Sequence, residues 1–135
     1  MLKVIKIILI AIIIIILWFL AIQFVTAEKY KAVVNVVKAE GTMGVNPSTE
    51  SLDFGDLSRG ASATRYLNLN NQGKNKISIR IWVLGEIKNL IKVDKNKFIL
   101  APGESTRVNF KLTVPVSAQA REYQGKVYIF KMFTF

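Results

Sequence analysis

The 135-residue sequence has no cysteine and no histidine. Without thiols there is no disulfide framework and no thiolate metal site. Without imidazole, the commonest general base, the commonest metal ligand and the usual switch near neutral pH are all missing. Acidic residues are scarce as well, 9 against 19 lysines and arginines. Asp53 and Asp56, which flank Phe54-Gly55, fall short of the six or more oxygens that calcium takes. The run Asp53-Phe54-Gly55 lacks the lysine and catalytic-loop context of a kinase. No catalytic residue, no metal and no cofactor is expected, and the chain is not expected to be an enzyme. The one Asn-x-Ser/Thr triplet, Asn46-Pro47-Ser48, is disabled as a glycosylation acceptor by its proline.

What is present begins with a long apolar run. After Lys6 no charge occurs until Glu28, and Ile7 to Ile22 is wholly apolar. Twenty-one residues at 1.5 Å each span about 30 Å, the thickness of a bilayer's hydrocarbon core. In lipid a lone spanning segment must satisfy its own backbone, so residues 1–27 are expected to be a transmembrane signal-anchor helix. Trp18, Phe19 and Phe24 lie in its second half, where aromatics sit near a membrane interface. A rival reading is a cleaved secretory signal. Lys3 and Lys6 give it a basic start, and Val25-Thr26-Ala27 places small residues at a cleavage site. Both readings put the rest of the chain on the extracytoplasmic side of the cell membrane. The anchored form predicts a single-pass protein that contacts lipid through its helix; the cleaved form predicts a secreted domain.

The remainder, about 105 residues, suffices for one modest core. Without Lys3 and Lys6 it carries 17 basic and 9 acidic residues, net +8. Such charge attracts polyanions, but it is spread along the chain and also serves solubility. Nucleic-acid binding would rest on charge alone and conflicts with an extracytoplasmic location, so it is not expected.

The pattern is that of strands. Tyr30 to Glu40 is β-branched and short of helix formers. Residues 28–44 therefore read as a first strand and connector, with that strand joined to a sandwich over 45–135. Ser51 to Phe54 is a short strand stopped at Gly55. Thr64 to Asn70 alternates, with Leu67 and Leu69 on one face. Asn70 to Lys76 is a polar hairpin turn about Gly73. Ile77 to Leu84 alternates, with Ile77, Ile79, Ile81 and Val83 inward and Ser78, Arg80 and Trp82 outward. Gly85 to Leu90 is ambiguous. Short strands at Leu90–Val93 and Phe98–Leu100 flank the turn 94–97. Ala101-Pro102-Gly103-Glu104 carries the residues of a type II turn. Thr106 to Val114 points Val108, Phe110, Leu112 and Val114 inward. Pro115 to Gln124 is a loop, and Gly125 opens the last strand. Seven to eight short strands with turns every 8 to 12 residues predict an all-β chain folded as an antiparallel β-sandwich.

The stretch NPSTESLDFGDLSRGASATRYLNLNNQGKNKISIRI, from Asn46 to Ile81, resembles the ASH/major-sperm-protein/PapD-like group of immunoglobulin-like domains. It shares a Pro-Ser segment, a Leu-x-Phe-Gly run, a Gly turn, and two alternating strands separated by an Asn-rich turn. LAPGESTRVNFKLTVP and YQGKVYIF resemble the later Pro-Gly turn, core strand and final strand. The resemblance implies an immunoglobulin-like sandwich that serves as a scaffold for protein–protein contacts without catalysis. Some archaeal archaellum stator proteins are similar in plan, one N-terminal helix and one β-sandwich.

Two features stand out as an interaction surface. Val127 to Phe135 is apolar in both registers, Val127, Ile129 and Phe133 in one and Tyr128, Phe130 and Met132 in the other, whereas a sandwich strand has one wet face. Cover could come from the early strand, the membrane surface or another protein, including self-association through this strand. Lys88, Lys92, Lys95 and Lys97 form the densest basic region, which reads as a solvated strand edge or a polyanion contact. Tyr128, Phe130, Met132, Phe135, Lys88, Lys92, Lys95 and Lys97 are thus the expected surface. Tyr66, Arg80 and Trp82 could also cluster on an outer face. The functional expectation is a non-catalytic binding or assembly module of the cell envelope with a protein partner. The alternative is an accessory subunit of a membrane complex or surface appendage.

Overall fold

The computed structural model describes residues 1–38 and 52–134, without the side chains of residues 23 and 24. An α-helix, α1 (Leu2–Thr26), precedes eight strands. These are β1 (Glu28–Val37), β2 (Leu52–Ser58), β3 (Ser62–Asn70), β4 (Ile77–Gly85), β5 (Ile91–Val93), β6 (Lys97–Leu100), β7 (Ser105–Thr113) and β8 (Glu122–Phe133). Within α1, Leu2–Ile22 is long and apolar enough to cross a membrane, and none of it is buried against the β domain. A helix of this kind near the N-terminus meets the requirements of a membrane anchor and of a signal sequence alike.

The strands form two sheets. The larger runs β2-β1-β8-β4-β6 and the smaller β3-β7-β5. Period-2 alternation gives each an apolar inner face. On β4 Ile77, Ile79 and Ile81 are buried, and on β7 Val108, Phe110, Leu112 and the following Val114 are buried, all as the pattern predicts. The inner faces share one core, with Val34, Phe54, Ile79 and Ile129 from the larger sheet and Leu69, Ile91 and Phe110 from the smaller. The architecture is therefore mostly β in two sheets, but it is not purely antiparallel. β1 and β2 run parallel, while every other pair is antiparallel. Two parallel neighbours need a crossover rather than a hairpin, and β1 and β2 are adjacent in sequence without being a hairpin.

β1 is internal to the sheet. It pairs with β2 on one side and β8 on the other, and Ala32, Val34 and Val36 are 0 to 2% exposed. The expected strand Tyr30–Glu40 begins two residues earlier than the pattern suggests; Ala39 and Glu40 lie outside the described residues, as does the Pro-Ser segment of residues 46–48.

Gly55 does not stop β2. The ladder with β1 passes from Val33↔Asp53 to Asn35↔Asp56, so β2 carries an extra residue there. Gly55 takes φ 71° at this bulge, a value open to a residue without Cβ. The 70–76 turn is not a hairpin either, because β3 and β4 belong to different sheets. Asn71, 3% exposed, anchors that crossing. Its Nδ2 donates to the Asn75 and Leu100 carbonyls at 2.8 and 3.1 Å, and its Oδ1 accepts from the Gly73 N–H at 3.0 Å. The 94–97 turn likewise carries the chain from β5 in the smaller sheet to β6 in the larger.

The ambiguous segment is a 3-10 helix, Glu86–Asn89, which tucks Ile87 fully into the core. The 101–104 turn closes as expected, with Glu104 N–H donating to the Ala101 carbonyl at 3.0 Å and Gly103 at φ 76°. β8 starts at Glu122, so Gly125 lies inside it rather than opening it. There it pairs with Gly85 and Ala32. A Cβ on Gly125 would sit 2.3 Å from the Leu84 carbonyl oxygen and 2.5 Å from Ile87 Cγ2. Close backbone approach, not strand initiation, calls for glycine at this position.

Candidate functional site

The outward side chains of β4, β6 and β8 share the outer face of the larger sheet, where the registers bring Arg80 beside Phe130, Trp82 beside Tyr128 and Ser78 between Ile99 and Met132. Trp82 meets Phe130 edge-on with ring centroids 5.2 Å apart, and Tyr128 stacks near Phe130 at 6.3 Å. Phe130 is 7% exposed although it faces away from the shared core. The second apolar register of β8 is thus covered in part by neighbouring rings. β1 does not lie over that face; it pairs along the strand's edge. Around the cluster Trp82, Leu84 and Ile99 remain 47, 39 and 56% exposed, and Tyr128 and Met132 are half-buried.

The edges of β8 are occupied by β1 from Glu122 to Ile129 and by β4 from Gly125 to Phe133. Among the described residues, β8 lacks a neighbouring strand beyond Ile129 on the β1 side and from Glu122 to Gln124 on the β4 side, so an added strand could pair only at these two ends. Phe135 lies outside the described residues. Phe133 continues the inward register but is 74% exposed, because β8 runs past the end of the core.

The four lysines are spread over three elements and a turn. Lys92 lies on β5 in the smaller sheet and Lys97 on β6 in the larger. Lys88 is exposed on the 3-10 helix. Lys95 Nζ donates to Thr106 Oγ1 at 3.1 Å and lies 3.5 Å from the Arg107 carbonyl oxygen. Tyr66 is separated from Arg80 and Trp82 as well: it sits on β3, in the other sheet, under the Arg107 guanidinium at 4.1 Å. Asp53 Oδ1 accepts from the Gly55 N–H at 2.8 Å and Asp56 Oδ1 from Asn35 Nδ2 at 2.9 Å, which binds the bulge together. Among the described residues, no three of His, Cys, Asp and Glu come together to hold a metal ion.

Two features escaped the sequence pattern. Ile99 joins Trp82 and Leu84 on the outer apolar face only because β6 flanks β4, which no periodicity encodes. A cavity of about 260 Å³ opens at the lower end of the sheets, lined by residues 70–73, Ile77, Lys131 and Phe133.

The polar groups are tuned by local partners. Burial raises the Tyr30 phenol above its usual range, and the carboxylate of Glu28, which accepts its hydrogen bond, adds to the shift. Burial acts to raise Asp94, but hydrogen bonds from the Asn109 backbone and side chain outweigh it and hold the carboxyl below its usual range. The Arg121 guanidinium is raised, chiefly by its hydrogen bond to Glu86 at 3.0 Å.

Comparison of the sequence with models of known protein families gives no match, and comparison with curated proteins gives none either.

Proposed function

We propose that this chain is a non-catalytic, membrane-anchored binding module on the extracytoplasmic side of the cell membrane, with an immunoglobulin-like sandwich as its scaffold. The observation that carries the reading is the outer face of the larger sheet. Trp82, Leu84 and Ile99 are exposed there around a ring cluster, next to Arg80 and Lys97. Interfaces favour aromatic and arginine anchors with a polar rim. A protein partner is the occupant such a face suits. The scarcity of acids and the lack of imidazole and thiol favour binding over chemistry. The immunoglobulin-like reading draws support from two sheets about one core and from Gly60 and Gly103 at positive φ, in the turns that carry the ASH/PapD-like resemblance.

The test is a photo-reactive amino acid placed at Trp82 on intact cells, with Tyr66 on the opposite sheet as control. The expected result is a discrete crosslinked protein from position 82 and none from position 66. Recovery of the monomer alone from both positions would reject a protein-binding role for this face.

A further inference from the structure

We infer that the end of the β domain nearest α1 is seated in the headgroup layer of the bilayer that α1 spans. This rests on the anchored reading of α1 and adds a second contact to it.

The geometry comes from the junction. A single residue, Ala27, separates α1 from β1, and β1 is held on both edges inside the sheet. No linker lets the domain lift away. The apolar span of α1 ends at Ile22, and the helix continues to Thr26, a further ~6 Å at 1.5 Å per residue. β1 then starts at Glu28, opposite Ile129, while β8 runs on in the reverse direction to Phe133. Those four residues extend ~13 Å at the rise of a strand. β8 therefore continues past the start of β1 toward the end of the domain that carries α1, and α1 contacts β8.

The side chains at this level suit an interface. Phe133 is 74% and Ile99 56% exposed. Lys74 and Lys76 are exposed in the 70–76 turn at the same end. Of the nearby carboxylates, Glu28 is paired with Lys131, and Glu104 Oε2 accepts from the Ala101 N–H at 2.8 Å. Aromatic and aliphatic groups beside lysines match the headgroup boundary, where rings are enriched and anionic lipid attracts cations. The cavity between residues 70–73, Lys131 and Phe133 opens on the same side.

The lack of cysteine allows a direct test. Full-length protein carrying Phe133→Cys, Ile99→Cys or Ser117→Cys is labelled with an environment-sensitive dye. It is then reconstituted in phosphatidylcholine–phosphatidylglycerol vesicles containing spin-labelled lipid. Ser117, exposed in the loop at the far end, is the reference. The expected result is several-fold stronger lipid quenching at 133 and 99 than at 117. Quenching at both sites no greater than at 117, with the protein still floating with the vesicles, overturns the inference alone. Protein that does not float with the vesicles overturns the anchored reading and the inference with it.

Discussion

The two sheets have equivalent inner faces and opposite outer ones. Inside, both contribute alternate apolar residues to the shared core, interrupted at the rim by Arg65 on β3 and Lys131 on β8. Outside, the smaller sheet is wet and hydrogen-bonded: Arg107 lies over the Tyr66 ring, Asn109 Nδ2 donates to Asp94 at 2.8 Å, and the Ser62 and Thr113 hydroxyls meet at 3.1 Å. The larger sheet instead packs Phe130 against Trp82 and Tyr128. A sandwich needs only its inner faces to be apolar, so folding of the shared core does not account for the second aromatic layer. That layer sits on the sheet that carries the junction with α1, and it leaves Trp82 and Ile99 uncovered by the rest of the chain. The difference separates the face that holds the fold from the face offered for contact.

The largest expected effect comes from removing β1, which is paired on both edges within the larger sheet. Deleting residues 28–37 strips Val34 and Val36, each worth about 1.5–3 kcal/mol of burial, together with the ladders to β2 and β8. Against a domain stability of about 5–15 kcal/mol, we expect loss of the cooperative thermal transition followed by circular dichroism. A retained sharp transition would show that the larger sheet forms without β1.

The outer faces themselves are compared by Phe130→Ala and Tyr66→Ala. Phe130 is 7% exposed and Tyr66 53%. The first change should cost about 3 kcal/mol by loss of buried ring contacts. The second should cost within about 1 kcal/mol, the scale of an exposed cation–π contact. Urea unfolding midpoints measure both, and equal losses would erase the distinction between the faces.

The smallest effect is the pH response of the wet face. Asp94 is held below its ordinary value of 3.8. A carboxyl depressed in the folded state stabilises above its unfolded value, and that contribution is lost as pH falls through the folded one. Asp94→Asn should therefore lower stability near neutral pH and flatten the decline between about pH 5 and the acid limit. The solvent-exposed setting keeps the effect below about 1 kcal/mol. Stability curves of wild type and variant that run parallel from pH 7 to 3 would contradict the assignment.

Much of this was legible in the linear pattern. The uncharged run after Lys6 marked α1. Alternation over Ile77–Leu84 and Thr106–Val114 marked β4 and β7 with their inward faces, and Pro102-Gly103 marked the type II turn. Each is a local property, decided by side-chain period or by the backbone freedom of a few residues. The errors are just as specific. Gly55 reads as a stop, yet it is a bulge, because a glycine at positive φ can be absorbed within a ladder. Asn70–Lys76 reads as a hairpin, yet it changes sheets, because the same polar turn chemistry serves both connections. Gly125 reads as a strand start, yet its role is set by the backbone of Leu84 across the ladder.

Composition and local order thus determined an apolar helix, a set of strands and the faces that turn inward, since burial of alternate apolar residues depends only on neighbours in sequence. Which strands became neighbours was decided by tertiary structure alone. The parallel β1–β2 pair, the place of β1 inside the sheet, the union of Ile99, Trp82 and Phe130 on one face and the assignment of Lys92 and Lys97 to different sheets all follow from long-range pairing. Hydrogen bonds between strands are made by backbone groups common to every residue, so the sequence carries few marks of which partner each strand will take.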